Sequence, residues 1–249
     1  MRILAIDTAT ENCSAALLID ASVQFREIEM ERGHAERILP MIDDLLAEAG
    51  ITLHDLDAIA FGRGPGSFTG VRLAVTVTQG LAFGAGLGVV AISDLRAVAQ
   101  RALRQDPAVT RVLVCNDARM NEVYWACFER GGDGLAGLEG EERVSKPSEV
   151  KLPAGWSTAT PVGRGFIAYA DALRAALPTV VVTSPTTGVD TPVTEGLLHL
   201  LPHAIDIARL SAPDVAAGRL IAPEAATPIY LRDNVAHVAK PSGQAGERG

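Results

Sequence analysis

Three strand-like runs open this chain before any helix appears, and the same opening recurs in its second half. Residues 2–7 (RILAID), 13–19 (CSAALLI) and 22–30 (SVQFREIEM) read as strands, joined by the turn at 8–12 and the link Asp20-Ala21. An amphipathic helix over 34–49 follows, with Ile38, Met41, Ile42, Leu45, Leu46 and Ala49 on one stripe. Pro40 is tolerated there only if the helix starts just before it, and Gly50 reads as its stop. Then come a strand at 56–61, a helix at 69–86, a strand at 87–92 and a helix at 93–104 that Ser93 can cap. Around Asp106-Pro107 the pattern restarts, with strands at 111–116 and 122–129. The Gly/Glu-rich stretch 131–142 reads as an exposed loop, with a strand near 143–145. A strand at 159–163, a helix at 166–177, a strand at 179–183, a loop at 184–194 and a helix at 202–218 follow. The tail after Lys240 reads as disordered. Such an order gives a hairpin-led mixed sheet with helices on its faces, present twice, the second copy reduced.

Composition narrows the function classes. Hydrophobic residues are 48% of the 249 and aromatics only 4%, so the expected core is aliphatic. The net charge, 22 − 30 = −8, disfavours autonomous nucleic-acid binding, which needs a basic surface. No apolar run approaches the ~20 residues of a membrane span. The apolar run at the N-terminus is too short for a signal peptide and is cut off by Asp7. Cys13, Cys115 and Cys127 form no C-x-x-C pair, so neither a disulfide framework nor a zinc cluster follows. A soluble, cytoplasmic protein is expected.

Between the strand at 56–61 and the helix at 69–86 lies Gly62-Arg-Gly-Pro-Gly-Ser-Phe-Thr-Gly70. A glycine-rich loop feeding a helix N-terminus is a ready anion site. This one lacks the lysine of a Walker loop, and its glycines miss the dinucleotide spacing. The competing reading is a sharp strand–turn–helix corner, with Ser67 or Thr69 as cap and Pro65 stiffening the turn.

Several segments in order carry a resemblance. They are Ile6-Asp7-Thr8-Ala9, His34 to Pro40 (HAERILP), Gly64 to Arg72 (GPGSFTGVR), Asp117 to Tyr124 (DARMNEVY) and Pro228 to Arg232 (PIYLR). Together they make residues 1 to about 235 similar to the TsaB (YeaZ) family of bacterial tRNA threonylcarbamoyladenosine biosynthesis proteins. The resemblance implies the actin/Hsc70/sugar-kinase (ASKHA) fold, an α/β architecture of two ribonuclease-H-like lobes. The expected units are an N-terminal lobe at 1–105 carrying a partner or dimer surface, a C-terminal lobe at 106–235, and a disordered tail at 236–249. It further implies a non-catalytic subunit that supports the paralogue TsaD, with the ATPase TsaE joining them. A homodimer is implied for the chain alone, and contact with tRNA only through the complex.

The candidate chemistry is sparse. The TsaD paralogue carries a His-x-x-x-His metal pair after the strand that matches 89–92. Here that place reads Ser93 to Gln100 (SDLRAVAQ), with no histidine. His199 and His203 are also four apart, but Pro202 falls between them and no carboxylate does, so they read as partly exposed side chains at a loop–helix junction. Asp7, at the end of the first strand, is either an Asx-turn or a remnant of an ancestral nucleotide site. With Thr8, Gly64, Gly66, Ser67, Asp117 and Arg119 it makes a possible vestigial nucleotide or polar site. No cofactor is expected, with ATP or ADP and magnesium left open at that site or at a subunit interface. Asp117, Arg119 and Glu122 read either as a polar site facing the cleft or as a turn in which Asp117 accepts backbone N–H groups and Arg119 pairs with Glu122.

The helix at 69–86 is apolar around almost its whole circumference, so it should be buried on all sides. One side can pack on its own sheet; the other needs the helix at 34–49 or another chain. Arg72, Thr76, Gln79 and Phe83, at i, i+4, i+7 and i+11, are the residues expected to face that partner. The leading expectation is a scaffold subunit without chemistry of its own. The alternatives are an ATP-dependent phosphotransferase of the same fold and a peptidase.

Overall fold

A computed structural model describes residues 1–180 and 196–232. The expected strand over 179–183 runs into the undescribed residues; the loop at 184–194 and the tail at 236–249 lie outside the description.

The first sheet is built as the periodicity requires. Strands β1 (Arg2–Asp7), β2 (Asn12–Ile19) and β3 (Ser22–Glu29) form an antiparallel meander. Strands β4 (Ala58–Gly62) and β5 (Val89–Ile92) join it in parallel, giving the order β3-β2-β1-β4-β5. Both faces of β1 and β4 are buried, which explains their unbroken apolar runs. Helix α1 (His34–Ala49) covers β2 and β3 and helix α2 (Phe68–Ala85) covers β1 and β4, on one face of the sheet.

Helix α1 runs through Pro40 rather than starting at it. The proline lies on the exposed side of the helix, away from the buried stripe of Ile38, Ile42, Leu45 and Leu46. Gly50 ends the helix in the left-handed conformation (φ 66°) as the sequence suggests.

The second sheet, β8-β7-β6-β9, repeats the plan with one strand fewer among the described residues. It comprises β6 (Arg111–Asp117), β7 (Val123–Arg130), β8 (Ala136–Ser145) and β9 (Thr160–Val162). Strand β8 occupies most of the stretch read as an exposed loop. It is an edge strand with a bulge opposite Trp125/Cys127, and its largely exposed Gly/Glu side chains carry no apolar alternation for a reader to detect. The helix expected at 166–177 is broken at Tyr169 into α4 (Gly165–Ala168) and α5 (Ala170–Ala176).

The two halves trade helices. Helix α3 (Asp94–Gln105) leaves the first sheet and covers the second, packing Leu95, Val98, Ala99 and Ala102 against Val112, Val114, Ala126 and Phe128. Helix α6 (Ala204–Ala216) returns from the second half to cover the other face of the first sheet, packing Ala204, Ile207 and Ala208 against Ile3, Ala5, Ala60 and Ile92. Arg104 of α3 and the buried Asp206 of α6 join the helices through two hydrogen bonds of 2.9 and 3.0 Å. The chain thus forms two α/β lobes, each built on a sheet led by an antiparallel hairpin.

Candidate functional site

The carboxyl ends of the parallel strands converge beneath the glycine loop. Asp7 ends β1, Gly62 ends β4 and Asp94 follows β5. Both carboxyl groups are fully buried. Oδ1 of Asp7 accepts the Ala9 N–H at 2.8 Å, the Asx-turn considered from sequence. Asp94 accepts the Gly64 N–H. Oδ2 of Asp7 and Oδ1 of Asp94 have no other partner, and both side chains press on Gly62, where a Cβ would strike Asp94 and lie 3.1 Å from Asp7. Burial pushes Asp7 up to about 7. Burial, and then the neighbouring Asp7 charge, hold Asp94 well above the carboxylate range. Burial thus favours the neutral form of both carboxyl groups. Asp94 was missed in the sequence because an acid just after a serine cap reads as an ordinary first-turn residue.

The loop itself is filled by protein. Ser67 N–H donates to the Ala9 carbonyl at 2.7 Å, and Thr8 Oγ1 donates to the Gly70 carbonyl at 2.6 Å. Ser67 Oγ caps α2 by accepting the Gly70 N–H at 3.0 Å. A Cβ on Gly66 would sit 2.5 Å from the Ala9 carbonyl, and one on Gly64 2.8 Å from the Ile229 carbonyl. Gly64 is also left-handed (φ 98°), and its peptide bond to Pro65 is cis. The glycines thus let the β1–β2 turn and residue 229 approach the corner, as the strand–turn–helix reading requires.

Asp117 and Arg119 lie across the cleft from this corner. A cavity of about 410 Å³ separates them, lined by Gly66, Ser67 and Phe68 on one side, by Asn116, Asp117, Arg119 and Tyr124 on the other, and by Tyr230 and Arg232. Thr8 lines an adjoining cavity of about 530 Å³, while Asp7 lines neither. Asp117 accepts the Arg119 N–H at 2.7 Å and the Tyr169 hydroxyl at 2.9 Å. Arg119 pairs with Asp117 at 3.2 Å and reaches Glu11 of the first lobe at 3.9 Å. Glu122, the partner expected from sequence for Arg119, pairs with Arg232 instead. The reason is backbone shape: Arg119, Met120 and Asn121 are all left-handed (φ 63°, 55° and 59°), which turns Arg119 toward the cleft.

Helix α2 departs from the all-round burial expected of it. Val71, Ala74, Val75, Thr78 and Ala82 face the sheet, while Arg72, Thr76, Gly80, Phe83 and Gly84 form an exposed stripe. Phe83 is 79% exposed. Of the four residues expected to face a partner, Thr76 and Phe83 are open, and Arg72 is exposed but stacked on Phe68, 3.7 Å from its ring centre. Gln79 is half-buried and donates to the Ala226 carbonyl at 3.0 Å. The neighbour of α2 on that side is therefore the chain's own segment 219–232, where the sequence suggested α1.

His203 is buried, against the expectation of partial exposure, while His199 is exposed. Its Nδ1 caps α6 by accepting the Ile205 N–H at 2.9 Å, so the proton sits on Nε2, 3.0 Å from Glu27. Burial, followed by Arg101 and Arg104, lowers it to about 3. Among the described residues no three His, Cys, Asp or Glu side chains gather as metal ligands do. Burial pushes the Cys13 and Cys127 thiols up to about 12, and raises Cys115 as well. No described helix is long and apolar enough to cross a membrane.

Comparison with known proteins gives a consistent answer. Residues 28–240 match the family model described as TsaD, tRNA N6-adenosine threonylcarbamoyltransferase. The tRNA threonylcarbamoyladenosine biosynthesis protein TsaB of Escherichia coli K12 is 43% identical over 241 residues, covering 95% of this chain and 96% of that protein. TsaB of Haemophilus influenzae is 38% identical over 244 residues, covering 94% and 95%. Among solved structures, YeaZ from Pseudomonas aeruginosa superposes with a TM-score of 0.78 at 41% identity, over 92% of this chain and 99% of that one.

Proposed function

The chain belongs to the TsaB family of tRNA threonylcarbamoyladenosine biosynthesis proteins, and from that premise we propose that it is a non-catalytic subunit that supports a TsaD-type transferase. Its working surface in this reading is the exposed stripe of α2. The observation that carries it is the open, almost uncharged face around Thr76 and Phe83, on a helix whose other side is core. A phenylalanine 79% exposed beside small residues is what a docking surface looks like before its partner arrives. The tRNA is handled by the partners in this reading, in keeping with the net charge of −8. A nucleotide held by this chain alone is not part of the proposal, since Asp7 faces Asp94 and not the cleft.

Reconstitution tests the reading. Threonylcarbamoyl transfer to tRNA by the TsaD and TsaE proteins of the same organism is expected to need this chain. Full transfer in its absence sinks the proposal. Thr76→Glu places a charge in the stripe without touching the core, and is expected to weaken association with the TsaD protein ~10-fold or more. Calorimetric titration reads that change, with a thermal melt to verify that the variant is folded. Undiminished binding by the folded variant counts against α2 as the surface.

A further inference from the structure

We infer that the docking surface is a two-element ridge, α2 together with segment 219–232, and that it takes a partner surface presenting a carboxylate to Arg72. This rests on the reading of α2 given above.

The segment runs antiparallel along the helix. Ile221 and Val89 exchange backbone hydrogen bonds of 2.9 and 3.0 Å near the C-terminal end of α2. Gln79 holds the Ala226 carbonyl at mid-helix, and Arg72 Nε donates to the Tyr230 hydroxyl at 2.8 Å near its start. Ala226 is buried in the same core cluster as Ala74, Val75 and Ala82. The two elements are therefore one surface, and a partner that covers the stripe of α2 meets the segment as well.

Exposed apolar side chains follow both elements. Phe68 and Phe83 stand out from α2, and Ile221, Ile229 and Tyr230 from the segment. Single exposed hydrophobics are ordinary on any protein; a row of them along two joined elements is not.

Arg72 specifies the chemistry. It is the one charged residue in the 18 of α2. Its guanidinium is fixed by the Phe68 ring and by the Tyr230 hydroxyl. Among the described residues no carboxylate lies within 4.0 Å of it. Nη1 and Nη2 donate to no protein group there, so the outer edge of the fork is unused. Burying an unpaired guanidinium under a partner is unfavourable unless an anion meets it, and a carboxylate fits the fork. The side chain is ordered before docking, so little rotamer entropy is lost when it binds.

The experiment is calorimetric titration of this full chain with the TsaD protein at two salt concentrations, for wild type, Arg72→Gln, Arg72→Glu, Ile229→Ser and Thr76→Glu. Arg72→Glu is expected to weaken binding ~100-fold and Arg72→Gln ~10-fold, both flattening the salt dependence, and Ile229→Ser several-fold. A charge-reversed partner carboxylate that restores binding to Arg72→Glu completes the case. If Thr76→Glu weakens binding but both Arg72 variants bind as wild type, this inference fails and the underlying reading stands. If no variant changes binding, the underlying reading fails with it. Should Arg72→Glu leave TsaD binding intact yet abolish self-association in sedimentation, the carboxylate belongs to a second copy, whose ridge offers Glu224, and the inference is overturned.

Discussion

Asp94→Asn is expected to make the protein more stable at pH 8, by on the order of 2–4 kcal/mol. The asparagine keeps an oxygen for the Gly64 N–H, carries no charge to bury, and can offer its amide to the unpartnered oxygen of Asp7. The sign of the pH dependence follows from the raised carboxyl. Asp7 ionises at about 7 in the folded protein against 3.8 in the unfolded chain. Between those values the folded state holds a proton that the unfolded state has lost. Stability contributed by this pair is therefore complete below the unfolded value and falls as pH rises toward the folded one. Cys13 beside Asp7, and Arg63 and Glu142 beside Asp94, are the other ionisable groups acting on the pair. Denaturant unfolding from pH 4 to pH 8 reads the effect. The wild type should lose stability across that range, and Asp94→Asn should lose much less. Parallel curves, or a variant weaker than wild type at pH 8, would show that burial does not hold the two carboxyls in their neutral form.

Gly70→Ala should be the most damaging alanine replacement among the described glycines, since no other would bring a Cβ so close to a backbone atom. Alanine in a helix is ordinarily better than glycine by ~1 kcal/mol. At position 70 the added methyl would overlap the Thr8 carbonyl, within a turn already pinned by the Thr8 hydroxyl and the Ser67 cap. Neither side can retreat, because Thr8 follows the buried Asp7 and position 70 is in the first turn of α2. The expected loss is ~3 kcal/mol or more, read by thermal or urea unfolding. Gly84→Ala is the matched control on the same helix. Nothing lies within 4 Å of a Cβ there, so it should be neutral or stabilising by up to ~1 kcal/mol. Equal effects at 70 and 84 would mean that the corner is looser than its contacts imply.

The elements that were legible in the sequence are those whose periodicity is set by burial on a known side. Strands β1 to β3 and helix α1 fall within a residue or two of the expected spans, as do the Ser67 and Ser93 caps. Strand β8 was not legible because an edge strand open to water has no reason to alternate. The apolar reading of α2 was correct about composition and named the face around Thr76 and Phe83 that its own sheet leaves open; that Gln79 on this face is covered depends on segment 219–232, more than a hundred residues away. The Asp7–Asp94 pair was invisible for a similar reason. Each acid has an innocent local role, a turn or a first helical residue, and only the parallel pairing of β1, β4 and β5 brings them together. The Arg119–Glu122 pairing failed because three consecutive left-handed residues reverse the direction that sequence distance suggests.

The exchange of α3 and α6 bears on how the molecule comes apart. Helix α3, which roofs the second sheet, follows directly on β5 of the first, and helix α6, which roofs the first sheet, comes from the second half of the chain. A fragment ending after α3 would leave Ile3, Ala5 and Ala60 without their cover, and one starting at β6 would lack the helix that seals Val112 and Phe128. Neither fragment holds a complete interior, although each holds a complete sheet. The two repeats are thus interlocked like clasped hands: a single melting transition is expected for both, and neither half should fold when excised.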